Sequence, residues 1–539
     1  MPGPVRDEAM EVGEALEALV HQFADPWSFL RELIQNAIDA GSGEIEVRVD
    51  HEPSDSDDDP GVMIVEVADS GDGMDRQIID TRLTRLFSSA KDGDYTKIGR
   101  FGIGFVSVFA IQPELVCVDT GRNGEFWRVL FKADRSFERI VLDTPVEGTT
   151  IRIYKRASVD EVEAARARAR RTLDYWCKHA KVEIHLDDEL LSRPLGLAGH
   201  CVVDHQEEET RLLLAYVPER EALRGYYHAG LTLHEEHDDR LPHVAFKIDS
   251  RYLEHTLTRD NVIRDDNYAK AMAIVARLVQ TRLSAELVAT CEAHASARRF
   301  DAEAEFLRAR LVELVAGEIE PSVDVLARPL IPTVGGEPVS LAQVRKQIAK
   351  CYVAPGPSPV TAALAGEGKL VLELPADTHL RGLIVAVAGA APNEADALCT
   401  ATPATPAELE PWTRLRAAAL GLLAGLERSL ADVTLGHLAY PGSPVAEHVA
   451  ITQAKFGELT RVEDVGELGS AGWFRSKRLV VVNADHPTVA HLLELAGHEP
   501  ELAAYLLLKL FFLRGRLDPK LDSQILTLAT EARCQRSTS

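Results

Sequence analysis

The stretch Ala68-Asp69-Ser70-Gly71-Asp72-Gly73-Met74 (ADSGDGM, residues 68–74) follows the apolar run VMIVEV (62–67), so one carboxylate and two glycines stand at the end of a predicted strand. A carboxylate there can accept the exocyclic amine of adenine, and glycines at 71 and 73 let backbone approach a flat ring with no Cβ in the way. Met74 adds a soft apolar wall. A plain turn would use the same residues. A calcium loop would not: the DxDxDG spacing is missing, and Asp80 stands where the bidentate glutamate belongs.

On the N-terminal side, EIEVRVD (44–50) and residues 62–69 read as a hairpin across the acidic turn DHEPSDSDDDPG. Before it, apolar residues at helical spacing predict helices over 13–23 and 26–40, the second ending at Gly41-Ser42-Gly43. That second helix carries RELIQNAIDA (31–40), in which Glu32 and Asn36 are four apart and share one face. A carboxylate can take a proton from an attacking water, and an amide oxygen is a hard ligand suited to Mg2+. Taken alone, the pair is one that any exposed helix carries.

On the C-terminal side, IGRFGIGF (98–105) places Gly99, Gly102 and Gly104 at the start of an apolar helix predicted over 101–111. Free N–H groups at such a start receive phosphates; close helix packing is the other use of those glycines. LVCVDTG, EFWRVLFKA, RIVLD and TTIRIYK then read as successive strands. Gly148-Thr149-Thr150-Ile151 opens the last of them, with Thr149 either bonding a purine edge or sitting in an ordinary turn.

The order of these signals is more specific than any one of them: Glu/Asn helix, Asp-x-Gly-x-Gly strand end, glycine-rich helix start, Gly-Thr strand. It resembles the Bergerat nucleotide fold of the GHKL ATPases, the family of heat-shock protein 90 and HtpG, MutL, MORC proteins, type II topoisomerases and histidine kinases. The resemblance implies Glu32 as the residue that orients and deprotonates water, Asn36 as the Mg2+ ligand, and Asp69, Gly73 and Thr149 as readers of adenine. It also implies Gly99, Gly102 and Gly104 at the phosphates, with Asp39, Gly71, Met74, Ile103 and Phe105 lining the pocket. No GxxxxGK[ST] is present for a P-loop alternative.

Within that family the chain looks most like the heat-shock-90 chaperones. SSAKDGD (88–94) resembles the chaperone lid, which implies that Lys91 reaches the phosphates on closure; Arg100 replaces the family's glutamine. YYHAGLTLHEEHDDRLPHVAFKIDSRYLEHTLTRDNV (226–262) resembles the chaperone middle domain, and Leu257-Thr258-Arg259-Asp260 matches its arginine loop. Arg259 is thereby implied to reach the γ-phosphate from a second domain, with Arg251 and Arg264 as weaker matches for that role. The resemblance runs over about residues 10–310.

The chain has 539 residues, and 84 acidic against 59 basic side chains leave a net charge of −25, which repels a phosphate-coated polymer. Nucleic acid is therefore not the expected partner. With 46% hydrophobic and 27% charged residues the composition is that of an ordinary globular protein. Seven scattered cysteines without a CxxC pair point to a reducing compartment, and no signal or membrane segment is evident, so a cytoplasmic location is expected.

The expected fold class is α+β multidomain: a Bergerat ATPase sandwich over 1–190, an α/β middle domain with the arginine loop over 191–320, and a mixed α/β C-terminal region over 321–539. The middle region opens with strand-like LLLAYVP and YYHAGLTLH and ends in helix from about Asn267 to Glu318. HEEHDD (234–239) reads as a solvated loop. The last region combines strand-like KLVLEL, LIVAVA and RLVVVN with helices Leu415 to Leu430 and Glu501 to Leu513. Leu502, Leu506, Leu510 and Leu513 suit either a homodimer interface or core burial. His486, His491 and His498 lack the HExxH spacing of a metal helix.

The functional expectation is an ATP-dependent chaperone of the heat-shock-90 type that binds ATP and Mg2+, acts on client proteins as a homodimer and has no membrane partner. The alternatives are a GHKL regulatory switch within a multi-protein assembly and a MutL- or MORC-like DNA clamp.

Overall fold

A computed structural model of the chain describes residues 25–56, 59–84, 103–254, 256, 261–317, 324–424, 430–466, 478–513 and 518–538. Two compact units, Met1–Leu283 and Ser284–Ser539, divide the chain. The first sheet ends at Leu190, and the division between the units falls at 283/284, within the region 191–320.

In the first unit, the hairpin expected around residue 55 forms as β1 (Glu44–Glu52) against β2 (Val62–Asp69), antiparallel with Ile45 opposite Asp69. Then follow β3 (Leu115–Arg122), β4 (Glu125–Lys132), β5 (Phe137–Val141), β6 (Thr149–Arg156), β7 (Glu183–Leu186) and β8 (Glu189–Leu190), in the sheet order 5-4-3-6-2-1-7-8. Period-two alternation turns Ile45, Val47, Val49, Met63, Val65 and Val67 inward. There they meet α1 (Phe29–Asp39) and α2 (Val159–Trp176), whose Phe29, Leu30, Leu33, Ile34, Val162, Ala165, Ala169 and Leu173 share one core with them. The opposite face carries an ion ladder instead. Arg128 clamps Asp119 at 2.6 and 2.7 Å, and Arg152 bridges Asp119 (3.1 Å) and Glu66 (2.5 Å). Burial works against the charge of Asp119, but the Arg128 hydrogen bonds outweigh it and hold the carboxyl below its ordinary range.

Of two helical expectations here, one is outside the described residues and one is altered. The helix predicted over 13–23 lies outside the described residues. The one predicted over 101–111 is described from residue 103, as a short helix Ile103–Val106 that tightens into a 3-10 turn Ser107–Ile111. The Ser107 hydroxyl donates back to the Gly104 carbonyl, competing with the helical ladder, and Gln112 at φ 54° ends the segment.

A second sheet holds β9 (His200–Glu207), β10 (Thr210–Tyr216), β11 (Ala222–His228), β12 (Leu231–Asp238) and β13 (Val244–Ser250), in the order 12-11-13-10-9. YYHAGLTLH is a hairpin rather than one strand, turning at Ala229 (φ 51°) and Gly230 (φ 81°). HEEHDD is not a solvated loop: all but its last residue lie on β12, where Lys178 pairs with Glu235 at 2.8 Å and Arg224 pairs with Asp238. Cations on neighbouring elements satisfy the carboxylates, so an acidic segment can run as strand. Then α3 (Asp266–Leu278) starts where the Asp265 side chain accepts the Tyr268 N–H.

In the second unit, Ser284–Ser296 and Ala302–Ala316 are separate helices, because Arg298 turns at φ 51° and donates to the carbonyls of Thr333 and Gly336. The run LIVAVA, expected as strand, belongs to helix His379–Ala388: Thr378 caps it, and Leu380, Leu383 and Ile384 bury one face at helical spacing. The helix expected to reach Leu430 ends at Ala424 in its described part, and Leu430 opens a strand. RLVVVN and KLVLEL form strands as expected. His486 is a helix cap, its Nδ1 accepting the Thr488 N–H. No described helix is long and apolar enough to cross a membrane.

Candidate nucleotide site

The buried face of α1 fixes Glu32. Phe29, Leu30, Leu33 and Ile34 anchor the helix in the core, and Glu32 itself is only 4% exposed. Its carboxylate lies against the glycine-rich segment: a Cβ built on Gly104 would stand 2.8 Å from Glu32 Oε2. The residue expected as a base and a glycine expected at the phosphates are therefore neighbours, although 72 positions separate them. Asn36 follows one turn later and is exposed, and no described residue engages its carboxamide. Asp39 is also exposed and accepts from Gln35 at 3.1 Å. Beside Glu32, the buried Arg31 guanidinium lies 4.3 Å above the Trp176 ring, and burial lowers its pKa to about 10.

The end of α1 and the Asp69 loop are in contact. Asp72 N–H donates to the Ala40 carbonyl at 2.9 Å, and a Cβ on Gly71 would meet that same oxygen at 2.9 Å. Asp69 and Thr149 are direct cross-strand partners. Asp69 accepts the Gly71 N–H at 2.8 Å and also the Thr149 N–H; burial nevertheless outweighs both and holds its pKa above the ordinary value.

Gly73 and Gly148 let three chain segments converge. Gly73 has φ +64° and its Cβ would fall 2.1 Å from the Gly121 carbonyl oxygen; Gly148 has φ +63° and its Cβ would strike the Asp69 carbonyl oxygen at 1.9 Å. The sequence reading missed the hydroxyl that ties this junction together. Thr120, fully buried, accepts the Met74 N–H at 2.8 Å and lies 3.0 Å from Thr149 Oγ1 and 3.2 Å from the Gly148 carbonyl. Its signal was the Thr-Gly pair closing LVCVDTG. Met74 packs half-buried against the core, and Phe105 is buried with its ring 5.1 Å from Phe131. Ile103 is the first described residue of the short helix. Lys91, Gly99, Gly102 and Arg259 lie outside the described residues. Arg251 and Arg264 stack over Tyr252 and Tyr268.

These contacts bring together a buried carboxylate, an exposed carboxamide one turn away, and a desolvated aspartate in a glycine-lined notch. Residues 24–165 match the family model described as histidine kinase-, DNA gyrase B-, and HSP90-like ATPase. Among curated proteins, the chain is similar to the chaperone protein HtpG of Nitrosospira multiformis, 31% identical over 178 residues that cover 28% of each chain. It is also similar to HtpG of Anaplasma phagocytophilum (34% over 166 residues, 26% of each) and of Citrobacter koseri (29% over 184 residues, 28% of each). The match thus spans little more than a quarter of the length of these relatives. Fold and family model agree: the first part of this chain carries a histidine kinase-, DNA gyrase B- and HSP90-like ATPase domain, related to the HtpG chaperones.

Proposed function

We propose that the protein is an ATP-dependent molecular chaperone of the heat-shock-90 type, in which hydrolysis is coupled to docking of a middle domain (191–320) on the nucleotide domain (1–190). The observation that carries this reading is the Glu32 carboxylate, buried and pressed against Gly104, one turn from the exposed Asn36. Glu32 holds and deprotonates the attacking water, and burial shields it from competing solvent. Asp69 retains acceptor capacity beyond its two N–H contacts and takes the adenine amine, with Thr149 beside it and Gly71, Gly73 and Met74 lining the ring. Gly99, Gly102 and Gly104 donate backbone N–H groups to the phosphates, between Ile103 and Phe105, and Lys91 joins them when the lid closes. Arg259 arrives from the middle domain to neutralise charge on the transferring phosphoryl, so turnover depends on docking. Asn36 offers a hard neutral oxygen, a donor that suits Mg2+, which when bound neutralises phosphate charge.

Exposed Leu502 and Leu510 on the helix Pro500–Leu513 favour a homodimer through region 321–539, with unfolded proteins as clients. A regulatory switch that uses the same ATPase without general clients is the second reading, favoured by a match limited to 28% of the chain.

The test pairs hydrolysis with aggregation. Glu32→Ala should keep Mg·ATP binding and lose most turnover, and Arg259→Ala should slow turnover at unchanged affinity. The wild-type chain should suppress aggregation of heat-denatured citrate synthase in an ATP-dependent way. Turnover that persists in Glu32→Ala rejects the base, and hydrolysis without suppression selects the switch.

A further inference from the structure

We propose that Lys247 is a nucleophilic amine, held by His179 at the wall of a separate cavity, that takes small uncharged aldehydes into imine linkage. Lys247 lies mid-strand on β13, where the flanking Phe246 and Ile248 turn to the opposite face and are fully buried. Its cross-strand neighbour on β11 is Gly225, which has no side chain, and the Tyr227 hydroxyl fills the position a Cβ would take. Lys247 lines, with Leu223 and Ala245, a cavity of about 430 Å³, within the range of small-molecule sites. It opens to solvent past the exposed Arg193, Pro194, Gly196 and Ala198.

A buried ammonium ordinarily has a carboxylate partner. Lys247, only 8% exposed, has none among the described residues. The neighbouring carboxylates are taken: Glu235 by Lys178 at 2.8 Å and by the Tyr227 hydroxyl, Asp249 by Lys181 at 3.2 Å. What Lys247 does have is His179 Nε2, 2.8 Å from its Nζ. His179 Nδ1 lies 3.3 Å from the Arg193 carbonyl, which accepts its proton, so Nε2 is the acceptor and the imidazole is neutral. Burial, reinforced by Lys247, lowers the His179 pKa to about 4, and burial, reinforced by Lys178, lowers that of Lys247 to about 8.

With Lys247 as the free amine, the charged residues lining the cavity, Arg193 against Glu219 and Glu221, sum to −1, which disfavours an anion and leaves an uncharged ligand unopposed. The chemistry balances without a further reagent. The free amine adds to the carbonyl carbon, forming the C–N bond while the C=O π pair moves to oxygen. The carbinolamine then leaves that oxygen as water, carrying the two amine protons, and the imine remains. At a histidine pKa near 4, His179 positions the amine and the protons pass to water.

The test treats the full chain at pH 7 with limiting formaldehyde and cyanoborohydride, which reduces the imine to a stable methylamine, and ranks lysines by peptide mass spectrometry. At that pH a lysine at pKa 8 has about 300 times the free-amine fraction of one at 10.5. Lower basicity and the cavity wall offset part of this, so Lys247 should label at least about tenfold faster than the exposed Lys270. The advantage should vanish in guanidinium chloride and shrink toward pH 10. His179→Gln should change the rate at Lys247 and leave Lys270 alone, and Lys247→Met should remove the fast site with the rest of the pattern intact. Labelling of Lys247 no faster than Lys270 in the folded chain, or a fast site that survives unfolding in guanidinium chloride, overturns the proposal.

Discussion

Replacing Gly104 by alanine probes the contact on which the catalytic reading rests, because the new methyl would sit 2.8 Å from Glu32 Oε2 and 3.6 Å from Glu32 Cβ. Carbon contacts settle at about 3.5 Å or more, so the carboxylate must retreat by about 0.7 Å. Helix α1 cannot take up that movement, since Phe29, Leu30 and Ile34 are fully buried beneath it. The side chain must rotate instead. Misplacing a catalytic group by about 1 Å costs roughly a hundredfold, so kcat should fall ten- to a hundredfold, or about 1.4–2.7 kcal/mol in barrier. Nucleotide affinity does not use this carboxylate, and alanine keeps the backbone N–H at position 104 that is proposed to meet the phosphates, so affinity should change by no more than a few fold. Position 104 lies in a helical turn with no positive φ, where alanine is favoured over glycine by about 0.5–1 kcal/mol, so the melting temperature should hold or rise. Steady-state ATP hydrolysis, titration calorimetry with a nonhydrolysable analogue and thermal melting read the three quantities. The double variant Glu32→Ala/Gly104→Ala adds a coupling test: it should be no slower than Glu32→Ala alone, because both changes act on one group. Wild-type turnover in Gly104→Ala, or additive losses in the double variant, would refute the placement of the base.

Thr120→Val keeps shape but strips the hydroxyl from Met74 N–H, so urea unfolding should report about 1–3 kcal/mol of lost stability together with weaker nucleotide binding; an unchanged midpoint would show the junction does not need that bond. Burial holds the Asp69 pKa above its ordinary value, and the amine of adenine needs the ionised form. Affinity should therefore begin to fall on acidification at a higher pH than an ordinary carboxylate would set, and Asp69→Asn should bind weakly at every pH; wild-type affinity that stays flat to about pH 4 contradicts this. In the second unit, His437 bonds Asp485 at 2.8 Å and Glu408 at 3.2 Å, and the Asp485 hydrogen bond raises its pKa against the opposing effect of burial. A raised histidine pKa contributes stability in full below the unfolded value of about 6.5 and loses it as pH rises through the folded one. Melting of that unit should thus drop across this window, and His437→Gln should flatten the drop; equal slopes in both proteins would remove the histidine from the account.

What the sequence made legible follows from how local each signal is. The strand alternation of 44–50 and 62–69 and the helical period of 26–40 are short-range patterns; β1 and β2 form there, and α1 forms over Phe29–Asp39 after a 3-10 turn at Pro26–Ser28. Asp69, Gly71 and Gly73 stand in one local motif, and the structure draws that turn tight: Asp69 accepts the Gly71 N–H, and Gly73 passes the Gly121 carbonyl where a Cβ would clash. LIVAVA was not, because a short apolar run suits strand and helix equally, and what decided it was the Thr378 cap upstream together with the burial of Leu380, Leu383 and Ile384. HEEHDD reads as solvated only while its partners are unknown; once Lys178 and Arg224 stand across from it, the same charges run along a strand.

Thr120 shows the general reason. Nothing in LVCVDTG distinguishes its threonine from any other at a strand end until β3 and β6 pair in the register that sets Thr120 opposite Thr149. That register also brings Gly121 and Gly148 to the positions where Gly73 must pass with no Cβ. The notch around Asp69 is therefore a property of the pairing among β2, β3 and β6, whereas the side chains proposed to bind nucleotide there are properties of single residues. Substitutions that spare every ligand but shift this register, such as Gly148→Ala with its 1.9 Å clash against the Asp69 carbonyl, should abolish nucleotide binding as completely as loss of Asp69 itself. Nucleotide binding retained by Gly148→Ala at wild-type affinity would mean that the notch is shaped by the ligands alone and that the convergence of the three strands is incidental.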